Sequence, residues 1–210
     1  MNALTPEELQ SGLEIDAERI AFLDAKLAKM NPREIRSAEN RFSEAAKSAI
    51  QLLHRKLKRT NMGISPAATI KANLKLCSAS EMRMHDGTVP QGSAWPEHGH
   101  IAILNHLILA PKEVIQSLVI HESLHLLYPF ASDESKQSLQ IRDVVKLEYP
   151  EDQHLEEEWV RRAEEKITGK FNLGEAWELA IEGGRDNWRP IYYEIKKEYL
   201  KSGTELVRFD

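Results

Sequence analysis

The segment from Pro111 to Leu127 constrains the fold more than any other part of this chain. Its apolar residues recur at helical spacing, and its main polar interruptions lie near its end. Proline suits the first helical position, where its missing N–H would have no partner anyway. Tyr128 ends the segment because it precedes a proline and therefore avoids the α conformation. The pattern predicts a mostly apolar helix of roughly four to five turns.

The polar interruptions are His121, Glu122 and His125, which form the pattern H-E-x-x-H. Residues four apart share a face of a helix, so both imidazoles point the same way and can bind one metal ion. A carboxylate next to the first histidine can reach a metal-bound water without being a ligand. Burying these three groups without partners would be costly. The apolar surroundings therefore favour a zinc site, with Glu122 as general base, over a surface helix with ordinary histidines.

Composition and charge limit the class of protein. A chain of 210 residues with 41% hydrophobic and 29% charged residues has the composition of a globular protein with one sizeable core. The net charge of −5 gives no general case for nucleic-acid binding. Cys77 is the only cysteine, so cysteine-based zinc sites are excluded. Without a hydrophobic signal region or a stretch of transmembrane length, we expect a cytoplasmic protein and no membrane partner.

The region before residue 64 is predicted to be helical. Thr5, followed by proline and then by glutamate three residues on, indicates a capping box and a helix to about Met30. A second helix is expected over residues 32–60. We expect these helices to form a hairpin (residues 1–63) that packs on a domain of residues 64–210, the two making one compact unit.

The rest of the chain mixes strand and helix patterns. Residues 68–76 and 101–105 are predicted strands, separated by a stretch rich in glycine and proline. Further helices are expected over 152–167, 175–181 and 191–200. The predicted fold is α+β, with a small, mostly antiparallel sheet packed on the H-E-x-x-H helix, an N-terminal helical hairpin and C-terminal helices.

A third metal ligand has to come from outside the motif, because catalytic zinc normally takes three protein ligands and leaves one position for water. The metzincin continuation is excluded, since Tyr128 and Ala131 stand where it needs glycine and histidine. The best candidate region is residues 154–162. The candidate ligands there are Glu157, Glu158, Glu156 and His154.

Other roles for this region remain open. Each glutamate could instead belong to a solvated acidic face, with i,i+4 partners such as Glu157–Arg161 and Glu158–Arg162. His154 could also act as a catalytic group that hydrogen-bonds a developing oxyanion, or it could be an exposed histidine. The four tryptophans are expected in the core.

Two runs of residues between about Gly99 and Leu127 extend the pattern beyond the bare motif. They are Ile101-x-Ile103-Leu104-Asn105-x-Leu107-Ile108-x-x-Pro111-x-Glu113-Val114-Ile115 and Val119-Ile120-His121-Glu122-x-Leu124-His125-Leu126. This stretch resembles the strand–loop–helix core of the zincin metallopeptidases, in particular SprT-like, YgjP-like and ImmA-like proteins. The resemblance implies a zincin-like fold, zinc ligation by His121 and His125, and Glu122 as general base.

The same resemblance bears on the third ligand and on the strand before the helix. SprT-like and YgjP-like proteins supply a third histidine soon after the motif, and none occurs here between His125 and His154. The gluzincin type has a glutamate ligand followed three residues later by a small apolar residue, which Glu157 and Val160 match best. In zinc peptidases the strand before the helix often forms a cleft wall and pairs with an extended peptide. Three histidines flank that strand here and are expected at the surface: His98, His100 and His106.

These observations predict a zinc-dependent metallopeptidase acting on a protein or peptide substrate. The first alternative is a zincin-fold binding or regulatory protein with restricted or no general proteolytic activity. The second is nucleic-acid association through the basic residues 54–59, whose usual role is to form a solvated helix end that favours the helix dipole.

Overall fold

The computed structural model describes residues 6–59, 72–131, 151–168 and 173–201, and the side chains of residues 17–57, 72–131, 155–168 and 173–198. This part of the chain is mixed α+β and mostly helical, with a three-stranded sheet. The helices are α1 (Pro6–Ala28), α2 (Pro32–Arg59), α3 (Ala79–Met82), α4 (Lys112–Leu127), α5 (Glu151–Thr168), α6 (Leu173–Gly184) and α7 (Trp188–Lys201). The strands are β1 (Asn73–Cys77), β2 (Gly92–Trp95) and β3 (His100–Leu104).

Most predicted elements appear close to their predicted bounds. The motif helix is confirmed as α4, although Pro111 is its N-cap, with an extended ψ of 150°, rather than its first helical residue. The three C-terminal helices are confirmed as α5, α6 and α7. The first predicted strand is confirmed only over β1, since residues 68–71 lie outside the described part. Thr5 and its capping box lie outside it too.

The sheet is mixed, so the prediction of a mostly antiparallel sheet is wrong. The strand order is β1-β3-β2, with β1 parallel and β2 antiparallel to β3. The chain returns in the same direction from β1 to β3 because the intervening segment, which contains α3 and β2, is long enough for a parallel connection. Strand β2 was not predicted. It forms an edge of the sheet and leaves β3 paired on both sides.

Helix α4 lies at the centre of the fold. Between Val114 and Leu127, all side chains are buried except those of Leu118, His121 and His125, which are half-buried. These three share one face, since their spacing is i, i+3 and i+7. A helix with apolar groups on nearly all sides is buried by its neighbours, and α2, α5, α6 and β2 pack around α4.

The N-terminal helices pack on the rest of the described chain by different means. Helix α2 packs against α4 and contains fully buried alanines, and small buried side chains allow helices to approach closely. Helix α1 is tied to α6 by ion pairs, including Arg19 to Glu182 at 3.0 Å. The basic run of residues 54–59 forms the C-terminal end of α2. No helix in the described ranges has the length and apolar character needed to cross a membrane.

Two expectations about single side chains are wrong. His106 is fully buried rather than at the surface, and its Nε2 lies 2.7 Å from Asp24 Oδ1 of α1. Trp95 is 43% exposed on the edge strand β2, whereas the other three tryptophans are buried as expected. His98 and His100 are exposed as expected.

Candidate metal centre

Helices α4 and α5 bring the motif and the downstream glutamates together. They pack antiparallel, because His121 contacts Glu164 near the end of α5 whereas His125, one turn later, contacts Glu156 near its start. The half-buried face of α4 therefore lies beside the glutamate-bearing face of α5.

The two imidazoles converge through their Nε2 atoms, which are 3.3 Å apart. Glu157 Oε1 lies 3.6 Å from His125 Nε2, and the three candidate ligand atoms all lie within 4.8 Å of one another. Tetrahedral coordination with bonds of about 2.0–2.1 Å separates neighbouring ligand atoms by about 3.3–3.4 Å. His121, His125 and Glu157 could therefore hold a metal ion after small adjustments, although this geometry alone does not select zinc.

The other ring nitrogens of both histidines face carboxylates. Glu164 Oε2 lies 2.9 Å from His121 Nδ1, and Glu156 Oε1 lies 2.8 Å from His125 Nδ1. Ser117 Oγ donates to the second oxygen of Glu164 at 3.0 Å. Such partners favour the tautomer in which Nδ1 donates and Nε2 keeps its lone pair for a metal. In that tautomer both Nε2 atoms are acceptors and face each other, an arrangement that a cation would stabilise.

The three consecutive glutamates have different surroundings, which narrows the choice of ligand. Glu158 is hydrogen-bonded by Arg161 at 2.9 Å and also pairs with Arg162, and these partners lower the pKa of its carboxyl. Glu156 faces Nδ1 of His125, on the opposite side of the ring from the candidate metal position. Glu157 is the one of the three beside an Nε2 atom. The side chain of His154 lies outside the described residues.

The pKa of His121 reflects the negative charge around the site. Burial lowers this pKa, but the hydrogen bond to Glu164 and the charges of Glu164, Glu122 and Glu157 together raise it to about 9. A site that holds a proton this firmly has a strongly negative potential. The same potential favours a metal cation.

Glu122 is buried beside this group, with 6% of its surface exposed. Burial raises the pKa of its carboxyl, the nearby histidines lower it, and Glu157 and Glu164 raise it further. Its other neighbour is the backbone of β2, where a Cβ atom built on Gly92 would lie 2.5 Å from Glu122 Oε1. The Glu122 carboxylate thus lies near both imidazoles and against the backbone of β2 at Gly92, which has no side chain.

Sequence reasoning missed four residues of this arrangement. Glu164 follows Glu157 by seven residues, so helical periodicity on α5 could have placed both on one face. Ser117 precedes His121 by four residues and could have been found in the same way. Gly92 gave no signal, because β2 was not recognised as a strand. The same holds for its neighbour Gln91, which accepts a hydrogen bond from the backbone of Leu104 and donates one to Glu178 of α6.

Fold and site together define a mixed α+β protein with a His-His-Glu group that could hold a metal ion beside a buried glutamate. Comparison of the chain with protein-family models, with curated proteins and with solved structures gives no match.

Proposed function

We propose that this chain is a zinc-dependent metallopeptidase of the zincin type, with His121, His125 and Glu157 as zinc ligands and Glu122 as general base. The observation that carries the proposal is the convergence of two Nε2 atoms and one carboxylate oxygen next to a second, buried carboxylate.

The donor set fits catalytic zinc. Two imidazoles and one carboxylate, with a fourth position left for water, are a common ligand set of zinc hydrolases. Glu157 has 64% of its side chain exposed, so the ligand group faces solvent on one side. The carboxylates on both Nδ1 atoms are the partners that metal-bound histidines usually have. When bound, zinc would lower the pKa of a coordinated water to about 7 and polarise a carbonyl group.

Glu122 supplies the proton transfers. Its carboxylate takes a proton from the attacking water and delivers it to the nitrogen of the leaving amine. A general base works best when its pKa lies near the working pH, and burial moves the pKa of Glu122 upward from that of an ordinary glutamate. His154, three residues before Glu157 on α5, stays a candidate for stabilising the oxyanion.

The edge of β2 is the feature that suits a protein or peptide substrate. The strand expected to pair with an extended peptide, β3, already has a partner on each side, so in the described sheet that role passes to β2. An extended chain could add to an exposed edge through backbone hydrogen bonds. Gly92 brings this edge next to Glu122, and the exposed ring of Trp95 offers an apolar contact at its far end.

Glu122→Gln tests the proposed reaction. It removes the base but no ligand, so we expect hydrolysis of a denatured protein substrate to fall by about 10²- to 10⁴-fold while bound zinc stays at the wild-type level. Glu158→Gln is the matched control, because that carboxylate contacts arginines, and it should hydrolyse like the wild type. Wild-type hydrolysis that does not depend on Glu122 would refute the proposal. Stoichiometric zinc without any hydrolysis would favour the zincin-fold binding protein instead.

A further inference from the structure

Gly92 and Glu122 share a space that is too small for another side chain. A Cβ atom at position 92 would lie 2.5 Å from Oε1 and 2.8 Å from both Cγ and Cδ of Glu122. Real Cβ contacts essentially never fall below 3.0 Å, so an added methyl group would force one side to move. The Glu122 side chain thus occupies the volume that a residue-92 side chain would need.

The α4 side of this contact cannot yield easily. Glu122 is buried, and its neighbours Ser123 and Leu124 on α4 are fully buried. Packed interiors accommodate an extra methylene only by shifting backbone or rotamers. The carboxylate therefore has little freedom to move sideways while the helix stays in place.

The start of β2 is also held in place, through hydrogen bonds of Gln91, the residue before the glycine. Gln91 accepts a backbone hydrogen bond from Leu104 at 2.8 Å, and its side-chain amide donates to Glu178 of α6. Glu178 also pairs with Arg19 of α1 at 3.2 Å. Backbone and side chain of Gln91 together hold the start of β2 against the sheet and α6.

We infer that Gly92 is a positioning residue for Glu122: its bare backbone forms the wall that sets where the carboxylate lies, and Gln91, held by Glu178, keeps that wall in place. The inference rests on the proposed function for the role of Glu122 as a base. The contact itself is a property of the fold and does not depend on a metal.

A double-mutant cycle on the full chain, measured by thermal unfolding in EDTA, tests the contact without zinc. Gly92→Ala should lower Tm by on the order of 5 °C in the wild-type background, as expected for overpacking. Glu122→Ala removes all three crowded atoms, so in that background the same change should cost only about 1–2 °C. Equal losses in the two backgrounds, or failure of the double variant to fold, would overturn the inference.

The catalytic consequence is tested with zinc-loaded protein. Gly92→Ala should keep the wild-type zinc content, because no ligand changes, and should lower kcat by about 10- to 100-fold through misplacement of the base, with KM within about twofold. Gly183→Ala is the matched control, because its new Cβ would lie 3.7 Å from Ile191, an ordinary contact. That control should match the wild type in kcat, and its Tm should equal or exceed the wild-type value because alanine favours a helix more than glycine does.

Gln91→Ala adds no bulk and provides a second test. It should lower kcat by less than Gly92→Ala does, again with zinc retained, because β2 loses only the hydrogen bond from the Gln91 side chain to Glu178. Wild-type kcat in both Gly92→Ala and Gln91→Ala would refute the positioning role. A wild-type protein without Glu122-dependent hydrolysis would instead refute the proposed function, whereas the cycle in EDTA would still report the contact.

Discussion

Helices α4 and α5 carry the candidate site together, but their surroundings differ. Helix α4 is enclosed by protein, and its one half-buried face holds both histidines. Helix α5 has one buried apolar side, and its remaining surface is rich in glutamate and arginine. On α4, a polar side chain needs a partner or a function because burial is costly. On α5, a glutamate needs neither, so only its direction on the helix distinguishes a ligand from a solvated charge.

The three glutamates at positions 156–158 illustrate this difference. Successive residues of a helix point about 100° apart, so neighbours of identical chemistry face different environments. Glu156 contacts a ring nitrogen on the far side of His125, Glu157 lies beside the converging Nε2 atoms, and Glu158 contacts two arginines. Three consecutive glutamates that are chemically identical in the sequence thus have different surroundings in the structure.

Replacing two adjacent glutamates of α5 one at a time tests whether their different surroundings matter for metal binding. Glu157→Ala should weaken zinc binding by about 100- to 1,000-fold, because zinc-finger sites share roughly 10–16 kcal/mol of binding energy among four protein ligands and one ligand is therefore worth about 3–4 kcal/mol. Glu158→Ala should change zinc affinity by less than about threefold, as expected of a surface ion pair. Competition with a chromophoric chelator measures both. A larger effect for Glu158 would show that the assignment on α5 is wrong.

Removing the charge of either carboxylate that contacts a histidine Nδ1 atom is expected to weaken zinc binding less than removing Glu157 does. Glu156→Gln and Glu164→Gln keep the side-chain shape but remove the charge that orients each histidine, and each should weaken zinc binding by about 10- to 100-fold. Ser117→Ala should have a smaller effect than Glu164→Gln, since Ser117 contacts only the carboxylate. Zinc affinities unchanged in both glutamine variants would mean that these contacts do not support the ligands.

The pH dependence of zinc binding tests the negative potential that surrounds the candidate site. The charges around His121 raise its pKa to about 9, so a metal ion that binds at neutral pH would have to displace a proton. Apparent zinc affinity should rise about tenfold per pH unit from pH 7 to about 9 and then level off. Conversely, the metal-free protein should lose the stability it gains from protonated His121 as pH rises through about 9. An affinity that is flat over this range would contradict the electrostatic description.

The fold and the candidate site were best predicted from the sequence where buried positions carry chemically distinctive residues. Pro111 marks the start of α4, and the H-E-x-x-H pattern on an apolar helix marks three residues of the candidate site. Tyr128 follows the end of α4 but has φ −53° and ψ −40°, so the expectation that it avoids the α conformation is wrong. Strand β2 was missed because three small residues and a tryptophan in a glycine- and proline-rich stretch have no strand periodicity. The parallel pairing of β1 and the burial of His106 depend on contacts between distant segments, which no local pattern encodes.

The zinc content of the purified protein tests whether His121, His125 and Glu157 form a zinc site. Protein produced under metal-replete conditions and freed of loosely bound metal should contain close to one zinc ion per chain by elemental analysis, as expected for a site with three protein ligands. His125→Ala, purified in parallel, should contain far less. Wild-type protein with no stoichiometric zinc under these conditions would contradict the account.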